Sequence, residues 1–383
     1  VLGLPNASRS ESHDWPAYGK GAGGGNFSSA AEITPKNVSQ LRQAWVHRSG
    51  DYHQGNEWTK DKVIDSSLQT SFQATPILVE DTLFYCSPYN KVIALGPASG
   101  EEKWVFDPKI DPEGKGILHC RGVSSWVDDS MSQSATCRHR IVSTTIESEL
   151  LSIDAATGKL CEGFGASGRV NLRSGLGDHD HGLYYSTSPP AIIGDLIIVG
   201  GSVADNVSVD VPGGVVRAYD ARSGALVWYW DPIHPDQKPV LDEDGSQRYQ
   251  RGTTNVWSII SVDPELNQIY LPTGNTSPDN YGGHRNGSDD YSGSVVSLDA
   301  TTGKVLWHFQ TVHHDVWDYD VPSQPTFYEI KKDGTIIKAL AQTTKMGFVF
   351  LLNRENGEPI FPVEERPVPQ GAVEGDYVSA TQP

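Results

Sequence analysis

Residues 311–322, TVHHDVWDYDVP, hold the densest group of side chains that could do chemistry. Asp318 and Asp320 lie two residues apart near two histidines, and in an extended segment side chains at that spacing point the same way. Two converging carboxylates can provide a general base and a ligand for a cation. A solvated acidic turn capped by aspartate has the same composition. The residue types alone therefore leave a catalytic site and a polar turn as alternatives.

The four cysteines are a second candidate for chemistry. They are Cys86, Cys120, Cys137 and Cys161, and the absence of a C-x-x-C pair among them argues against zinc or a redox dithiol. Four cysteines permit three pairings, and an exported protein would form some of them. Cys137 precedes the apolar run RIVSTTI and Cys161 follows the turn at Gly158, so both could lie at one end of one structural unit. A Cys137–Cys161 disulfide and four free thiols remain alternatives.

The elements that position these residues are indicated by a pattern of about thirteen residues that recurs along the chain, as in repeat folds. Each copy is an apolar run, a turn such as Asp-x-x-Ser/Thr-Gly, and in most copies a bulky residue four positions after the glycine. The copies are VIALGPASGEEKW, LLSIDAATGKLCE, VVRAYDARSGALVW, VVSLDATTGKVLW and VFLLNRENGEPIF, and their glycines are Gly100, Gly158, Gly224, Gly303 and Gly357. Such a unit cannot bury its own apolar face and must stack on a neighbour. We expect each copy to be part of a propeller blade.

One copy shows the physical reason for this expectation. Val295 and Val296 are typical of a strand, Asp299 can cap the turn, and Gly303 supplies the left-handed backbone of a tight hairpin. The ring of Trp307 suits the wedge between two adjacent sheets. With 39 Gly, 24 Pro and 10 Trp in 383 residues and few helical periods, the sequence predicts an all-β propeller with tryptophan-type blade motifs over residues 1–383. Residues 41–45, LRQAW, are predicted to add the outer strand of an incomplete blade.

Charge and hydropathy exclude two classes of function. The net charge of −18 argues against nucleic acid as a partner. The sequence also has no apolar run of the roughly 18 residues that a membrane-spanning helix needs.

Motifs spread over the whole sequence resemble those of the pyrroloquinoline quinone (PQQ) dependent dehydrogenases. They are DWPAYGK (14–20), HCRGVSSW (119–126), YSTSPP (185–190), GSVADN (201–206), YLPTGNTSPDNYGG (270–283), TVHHDVWDYDVP (311–322) and TTKMGFVFLLNRENGEP (343–359). The most similar branch is that of the membrane-linked glucose, quinate and polyol dehydrogenases. The resemblance implies an eight-bladed propeller that holds PQQ and a divalent cation near its axis, and a periplasmic location.

The resemblance also implies roles for individual residues. Asp318, the first aspartate of WDYD, matches the catalytic base, which takes the proton of the substrate hydroxyl as hydride leaves for the quinone. Asp205 of VADN and Asn275 of TGN match cation ligands, with Asp318 beside them, and such oxygen donors suit calcium. The cation would polarise the quinone carbonyl. Lys345 of TTKMG matches the positively charged catalytic residue that contacts the ortho-quinone oxygens.

The remaining matches are to residues that bind the cofactor. Arg121 of CRGV suits the carboxylates of PQQ, since its guanidinium is a planar fork. Trp257 of TTNVW matches the tryptophan that stacks on the cofactor ring. Thr187 and Ser202 match hydroxyl donors to the cofactor carboxylates, and Gln73 lies where some relatives carry glutamate.

Three departures from the family pattern bear on substrate and metal. Glucose-oxidising members carry a histidine three residues before the cysteine of CRGV, where this chain has Ile117, so glucose as the substrate is in doubt. Asp320 resembles the extra carboxylate of lanthanide-using enzymes and is a further candidate ligand, although relatives without a lanthanide share it. We expect calcium, with magnesium or a lanthanide as alternatives. The DHDH run at 178–181 has no family counterpart, and we expect a solvated turn there.

The number of repeats is also lower than the family fold requires. Five repeats and one leading strand make about five to six blades, and relatives of this branch continue well past the end of this sequence. We expect C-terminal blades or a second polypeptide to complete the ring, because an open ring would expose apolar blade faces. Association with a membrane would then involve segments outside this chain.

Two functions follow from the resemblance. The first is oxidation of an alcohol group of a sugar, polyol or cyclitol, such as glucose, quinate or sorbitol, with electrons passed to a membrane quinone or another acceptor. The second is a scaffold or binding propeller of the same ancestry without catalysis. We favour the enzyme because Asp205, Trp257, Asn275, Asp318 and Lys345 occur together, and site chemistry rather than fold decides function.

Overall fold

The computed structural model describes residues 14–53, 69–112, 117–180, 182–233, 240–241, 247–285 and 288–383. Within these ranges the regular structure is β-strand, apart from one short 3-10 helix at Val38–Gln40. The predicted all-β class is confirmed. No helix in the described part of the chain is long and apolar enough to cross a membrane.

Five antiparallel sheets follow one another along the chain, and we number them I to V. Sheet I contains β4 (Ile77–Val79), β5 (Thr82–Cys86), β6 (Val92–Leu95) and β7 (Glu102–Phe106). Sheet II contains β9 (Ser124–Val127), β10 (His139–Thr144), β11 (Glu149–Asp154) and β12 (Arg169–Asn171). Sheet III contains β14 (Ala191–Ile193), β15 (Leu196–Val199), β17 (Val216–Asp220) and β18 (Leu226–Trp230).

Sheet IV repeats the four-stranded pattern and sheet V shortens it. Sheet IV contains β21 (Ser261–Asp263), β22 (Gln268–Pro272), β23 (Ser294–Asp299) and β24 (Val305–Gln310). Sheet V has three strands, β25 (Thr326–Lys332), β26 (Thr335–Thr343) and β27 (Val349–Asn353). In each sheet the strands pair with their neighbours in sequence order, as in the blades of a propeller.

Short two-stranded ladders pair segments that lie outside the five sheets. They are β1 (Lys20–Gly21) with β2 (Gly24–Gly25), β3 (Gln69–Phe72) with β8 (Ile117–Cys120), β13 (Tyr184–Tyr185) with β16 (Ser202–Val203), β19 (Val240–Leu241) with β20 (Gln247–Arg248), and β28 (Arg366–Pro367) with β29 (Thr381–Gln382). The β3–β8 pair is parallel and the others are antiparallel.

The core lies between successive sheets, because alternate residues of a strand face opposite neighbours. In β15, Ile197 packs in the cluster shared with sheet II, while Ile198 packs in the cluster shared with sheet IV. Both side chains are fully buried. In β22, Leu271 faces sheet III and Tyr270 faces sheet V in the same way. The predicted stacking of blade-like units is confirmed for sheets I to V, and the family's total of eight blades stays an expectation.

The repeated turn is built as the sequence predicts. In the fourth copy, the Oδ1 atom of Asp299 accepts hydrogen bonds from the backbone N–H and hydroxyl of Thr302, at 2.8 and 2.7 Å. Gly303 has a φ of 70°, which is the left-handed backbone that favours glycine. The aspartate and the glycine therefore close the turn together.

The same glycine receives a tryptophan from the preceding sheet. The indole of Trp228 lies over Gly303, where an added Cβ would come within 2.5 Å of the ring, and its Nε1 donates to the carbonyl of Ala300 at 2.9 Å. Trp104 makes the equivalent hydrogen bond to Ala155 at 3.0 Å, and Trp307 bonds to Arg354 at 3.1 Å. The recurring tryptophan and glycine are thus two halves of one contact between neighbouring blades.

One copy departs from this contact, and residues 41–45 make the contact without forming a strand. In the second copy, which has Glu162 at the bulky position, the buried Phe164 lies against Gly224 instead. Residues 41–45 do not form the predicted strand, since no described strand pairs with them. Trp45 nevertheless lies over Gly100 and donates to the carbonyl of Pro97 at 3.1 Å. The segment therefore docks as an outer strand would, without a ladder of its own.

Both cysteine pairs are disulfides. The predicted Cys137–Cys161 bond is confirmed, and Cys86 is bonded to Cys120, so the alternative of four free thiols is wrong.

Candidate active site

The two carboxylates of the WDYD segment converge on one ammonium group. The Nζ atom of Lys345 lies 2.9 Å from Oδ1 of Asp318 and 3.1 Å from Oδ2 of Asp320, and it also donates to the backbone carbonyl of Asp318 at 2.8 Å. The convergence expected from the sequence is therefore found. It does not arise from an extended strand, because Asp318 has a left-handed φ of 62°.

A buried aspartate shapes this turn. Asp315 is fully buried, and its two carboxylate oxygens accept the backbone N–H groups of Trp317 and Tyr319 at 2.9 and 2.6 Å. Burial raises the pKa of Asp315 to about 6. The turn between these bonds leaves the side chain of Asp318 about 42% exposed, whereas Asp320 is buried.

The two histidines of the segment are engaged with neighbouring loops. His314 is buried between the carboxylates of Asp289 and Asp376, at 2.7 and 2.9 Å, and stacks on Tyr377. His313 contacts Glu365 at 2.9 Å. These contacts tie the last residues of the chain to the WDYD segment, so the histidines act in holding loops together.

The proposed cofactor residues form a chain of contacts that reaches the same carboxylates. The indole Nε1 of Trp257 donates to Oδ2 of Asp320 at 3.2 Å. The guanidinium of Arg121 lies over the indole of Trp257 at 5.1 Å and donates to the hydroxyl of Thr187. Burial lowers the pKa of Arg121. Among the described residues, Arg121 pairs with no carboxylate.

The other two predicted cofactor residues lie differently. Ser202 is buried in β16, opposite Tyr185 and two residues from Thr187 along the partner segment. Gln73 is exposed, and its described hydrogen bond is to the hydroxyl of Ser71 at 3.2 Å. The structure joins Arg121, Thr187 and Trp257, but no described contact joins Gln73 to them.

Oxygen atoms of acid and amide groups gather beside Gly274. A Cβ added to this glycine would lie 3.0 Å from Oδ1 of Asn255 and 3.1 Å from Oδ1 of Asp320. The amide of Asn255 donates to Asp205 at 2.9 Å, and its own Oδ1 is buried without a described donor. A buried acceptor without a partner is costly unless another group satisfies it.

Asn275 is held by protein groups on all sides. Its Oδ1 accepts from the backbone N–H of Thr276 and the hydroxyl of Ser292, both at 2.9 Å. Its amide donates to the carbonyls of Asp279 and Asp315 at 3.1 Å. The side chain is therefore adjacent to the acidic group, but a metal ion would have to share its oxygen with these donors.

A further acid, Asp279, belongs to this group. It is 2% exposed, and its Oδ1 has no described hydrogen-bond partner. Burial, followed by repulsion from Asp205 and Asp320, raises the pKa of Asp279 to about 8. Burial and the nearby Asp320 likewise raise the pKa of Asp205 to about 6. A positive charge placed among these groups would relieve both the desolvation and the repulsion.

These observations fit a hard divalent cation held by oxygen atoms. The donor set of carboxylates and an unsatisfied amide oxygen is the one that calcium prefers. Among the described residues, no group of three or more His, Cys, Asp or Glu side chains is arranged to hold a metal by itself, so amide oxygens would have to complete the site. The flat indole of Trp257 and the guanidinium of Arg121, which pairs with no carboxylate among the described residues, equally fit a planar, anionic cofactor.

The DHDH run is described only in part. Asp178 and Asp180 are exposed, as expected of a solvated turn, and His181 lies outside the described residues.

Comparison with known proteins now gives the family. A model described as "PQQ: Glucose/ethanol/alcohol dehydrogenase, beta-propeller domain" matches residues 15–383. The chain belongs to this family.

Members of the PQQ propeller family match the chain over nearly its whole length. The chain is 40% identical to the quinoprotein glucose dehydrogenase of Escherichia coli, over 97% of this chain and 46% of that protein. It is 37% identical to the quinate/shikimate dehydrogenase (quinone) of Acinetobacter baylyi, over 97% of this chain and 46% of that protein. The quinohemoprotein alcohol dehydrogenase from Comamonas testosteroni has a similar structure, with a TM-score of 0.71 and 26% identity. The match covers 97% of this chain and 52% of that one. The chain thus spans about half the length of the relatives it matches.

Two residues of the candidate site, and the structural role of a third, were not predicted from the sequence. Asn255 lies in TTNVW beside the predicted Trp257, and Asp279 lies in the same motif as Asn275. Asp315 precedes WDYD and holds its turn. All three lie within matched motifs, so their positions carried a signal, but their burial and partners depend on which loops meet.

Proposed function

We propose that the chain carries the active site of a PQQ-dependent dehydrogenase that oxidises an alcohol group of a sugar, polyol or cyclitol. One observation supports this above the others. Lys345 bridges Asp318 and Asp320, while Trp257 donates to Asp320 and lies under Arg121. The carboxylate proposed as the catalytic base, a lysine ammonium group and a flat aromatic surface thereby lie in one continuous chain of contacts.

The cofactor would lie against Trp257, with Arg121, Thr187 and Ser202 at its carboxylates and Lys345 at its quinone oxygens. A guanidinium suits carboxylates because its N–H groups form a planar fork. Gln73 is proposed as a further contact, which requires its exposed side chain to turn toward the cofactor. When bound, PQQ supplies the acceptor for the hydride.

The chain itself would handle the proton. Asp318 is exposed enough to reach a substrate hydroxyl, and as a carboxylate it would accept the hydroxyl proton at an Oδ atom as the C–H bond gives up its hydride. Lys345 holds Asp318 through both its carboxylate and its backbone carbonyl, and so fixes the direction of the accepting oxygen. The substrate would leave as the aldehyde, ketone or lactone.

A divalent cation would be held by Asp205, Asn275 and Asp318, with Asp320 as a further candidate. The structure adds support for Asn255, because its Oδ1 has no described donor. We propose calcium, with magnesium or a lanthanide as alternatives, and the cation would polarise the quinone carbonyl.

The proposed location is the periplasm, and the proposed electron acceptor is a quinone or another carrier. The two disulfides support an oxidising compartment, since such bonds are rare in reducing ones. The Acinetobacter relative carries the word quinone in its name, which supports that class of acceptor.

We also propose that further polypeptide covers the outer faces of sheets I and V. Phe72 beside sheet I is 61% exposed, and Phe348, Val349 and Phe361, in or beside sheet V, are 50, 57 and 50% exposed. Apolar patches at the two ends of a stack of blades are surfaces that additional blades would bury. Either C-terminal blades of the same protein or a second chain would satisfy this.

Reconstitution of the complete protein tests the proposed function. PQQ and calcium should change the absorbance of the protein, and dye reduction should follow with at least one of glucose, quinate, sorbitol and ethanol. Omission of PQQ or of calcium, with every other component kept, is the control. A protein that neither changes its spectrum nor turns over any alcohol would instead be a scaffold propeller.

A further inference from the structure

Arg121 follows a strand that belongs to none of the five sheets. Strand β8 (Ile117–Cys120) pairs in parallel with β3 (Gln69–Phe72), over four residues. A two-stranded ladder of this length is marginally stable by itself. Something else must therefore fix the backbone that carries Arg121.

A covalent bond supplies this connection one residue before Arg121. Cys120 is bonded to Cys86, the last residue of β5 in sheet I, and the two cysteines are 2% and 0% exposed. Asn90 adds a second tie, since its buried amide donates to the carbonyl of His119 at 3.3 Å. Adjacent Cα atoms are about 3.8 Å apart, so a bond at Cys120 leaves Arg121 little freedom relative to sheet I.

Arg121 itself contacts other residues of the candidate active site. Its backbone N–H donates to the carbonyl of Thr187 at 2.8 Å, its carbonyl accepts from Thr75 at 2.9 Å, and its guanidinium reaches the Thr187 hydroxyl and the face of Trp257. No described carboxylate holds the guanidinium in place. Its direction is therefore set by the Thr187 hydroxyl, by the face of Trp257 and by the backbone from which it projects.

We propose that the Cys86–Cys120 disulfide is the positioning device for Arg121, so that sheet I sets where the guanidinium meets the anionic groups of the cofactor. The inference deepens the proposed function and rests on the cofactor role given there to Arg121. Cys86 and Cys120 act through Arg121 and do not touch the cofactor.

The second disulfide provides a matched control. Cys137 and Cys161 are 24 residues apart, compared with 34 for Cys86 and Cys120, so the two bonds restrict the unfolded chain to a similar degree. The Cys137–Cys161 bond lies at the turn of sheet II, where the backbone N–H of Cys137 donates to Asp154. It should stabilise the fold without affecting Arg121.

The experiment compares Cys86→Ser/Cys120→Ser with Cys137→Ser/Cys161→Ser in the complete protein, each with and without Arg121→Ala. The first readout is the Kd for PQQ, from quenching of tryptophan fluorescence. We expect the Cys86/Cys120 pair to weaken PQQ binding by about tenfold, the scale of one lost charge-assisted hydrogen bond, and the control pair by less than about twofold. In the Arg121→Ala background, the Cys86/Cys120 substitutions should add almost nothing.

A second readout does not need the cofactor. Amide hydrogen exchange of the apoprotein should rise around residues 117–123 in the Cys86/Cys120 variant and stay unchanged there in the control. If the Cys86→Ser/Cys120→Ser protein does not fold, the Cys86→Ala/Cys120→Val protein is measured instead, because its side chains fill the same buried space with apolar atoms.

The outcomes separate this inference from the proposed function. Unchanged exchange at 117–123, or a loss of PQQ affinity that adds in full to that of Arg121→Ala, would overturn the positioning role. A wild-type protein that binds no PQQ refutes the proposed function, and the exchange measurement still decides whether the disulfide positions Arg121.

Discussion

At the scale of single residues, the site depends on how one ammonium group is shared. Lys345 contacts both Asp318 and Asp320, but the two acids differ in their surroundings. Asp320 is buried and also accepts from Trp257 and from the backbone N–H of Asn275, at 3.2 and 2.6 Å. Asp318 has the exposed carboxylate. This difference supports the proposed role of Asp318 as the proton acceptor, and a structural or metal-holding role for Asp320.

Replacement of Asp318 tests this assignment. We expect Asp318→Asn to lower kcat by about 10²- to 10⁴-fold, the usual contribution of a general base, because an amide cannot accept the substrate proton. The Kd for PQQ should change little, since the amide still accepts from Lys345. Steady-state kinetics and fluorescence titration measure the two quantities. Asp333→Asn, in an exposed hairpin turn, is the control, and substantial turnover by Asp318→Asn would remove the base role.

Replacement of Asn255 tests the cation site. Asn255→Ala removes the unpartnered Oδ1 and the hydrogen bond to Asp205. We expect the Kd for calcium, measured by calorimetry, to rise by about tenfold or more, as for other changes around metal ligands. Asn280→Ala is the control, because Asn280 is exposed and bonds to Asn206. Equal calcium affinity in both variants would exclude Asn255 from the site.

At the scale of elements, the contact between a tryptophan and the next turn connects the sheets. Trp104, Trp228 and Trp307 each reach the turn of the following copy with the ring over glycine and the indole N–H on a carbonyl. The contact fixes the spacing of the sheets, and with it the spacing of the loops that carry site residues. Trp257 and Asp320, which flank sheet IV in sequence, are brought within hydrogen-bonding distance in this way.

A glycine substitution can separate this contact from backbone strain. Gly303→Ala places a Cβ about 2.5 Å from the ring of Trp228, and Gly334→Ala, in the turn of sheet V, meets nothing within 4 Å. Both glycines have positive φ, 70° and 83°, so both variants bear the left-handed strain of roughly 1 kcal/mol. Gly303→Ala should lose a further 1–3 kcal/mol or so of unfolding free energy from overpacking. Denaturant unfolding measures the free energy of unfolding of both variants. Equal losses of that free energy would show that the contact between Gly303 and Trp228 adds nothing.

At the scale of the whole molecule, both ends of the described stack of sheets expose apolar side chains. Trp45, Phe72 and Leu83 lie along a cavity of about 530 Å³ beside sheet I, and Phe348, Val349 and Phe361 lie along one of about 630 Å³ beside sheet V. In sheet IV the positions that correspond to Val349 and Phe361 are Val295 and Trp307, and both are buried because a neighbouring sheet covers them. Further polypeptide at these ends would also extend the walls around the site.

Expression of residues 1–383 alone tests the importance of these ends. We expect this chain to self-associate, because apolar faces of this kind attract each other in water. Val349→Thr/Phe361→Ser should reduce the association that light scattering detects. Val207→Thr, at an exposed valine away from both ends, is the control and should leave it unchanged. A monodisperse wild-type monomer would contradict the proposal that these faces are normally covered.

The sequence by itself determined the repeated unit and the candidate residues. Turn glycines, capping aspartates and tryptophans act through contacts a few residues away or at a fixed repeat spacing, so their pattern can be read from the chain. The motifs CRGV, VADN, TGN, WDYD and TTKMG also indicate Arg121, Asp205, Asn275, Asp318 and Lys345 as candidates from the sequence alone.

Only the tertiary structure decided how these residues meet. The Cys86–Cys120 bond, the unpartnered oxygen of Asn255, the buried Asp279 and the bridge at Lys345 each depend on distances between different sheets or loops. Such distances follow from how the sheets stack, which is a sum of many weak packing contacts with no local signature. Burial and charge in the site are properties of that stack, so the sequence could name the site residues but not their partners.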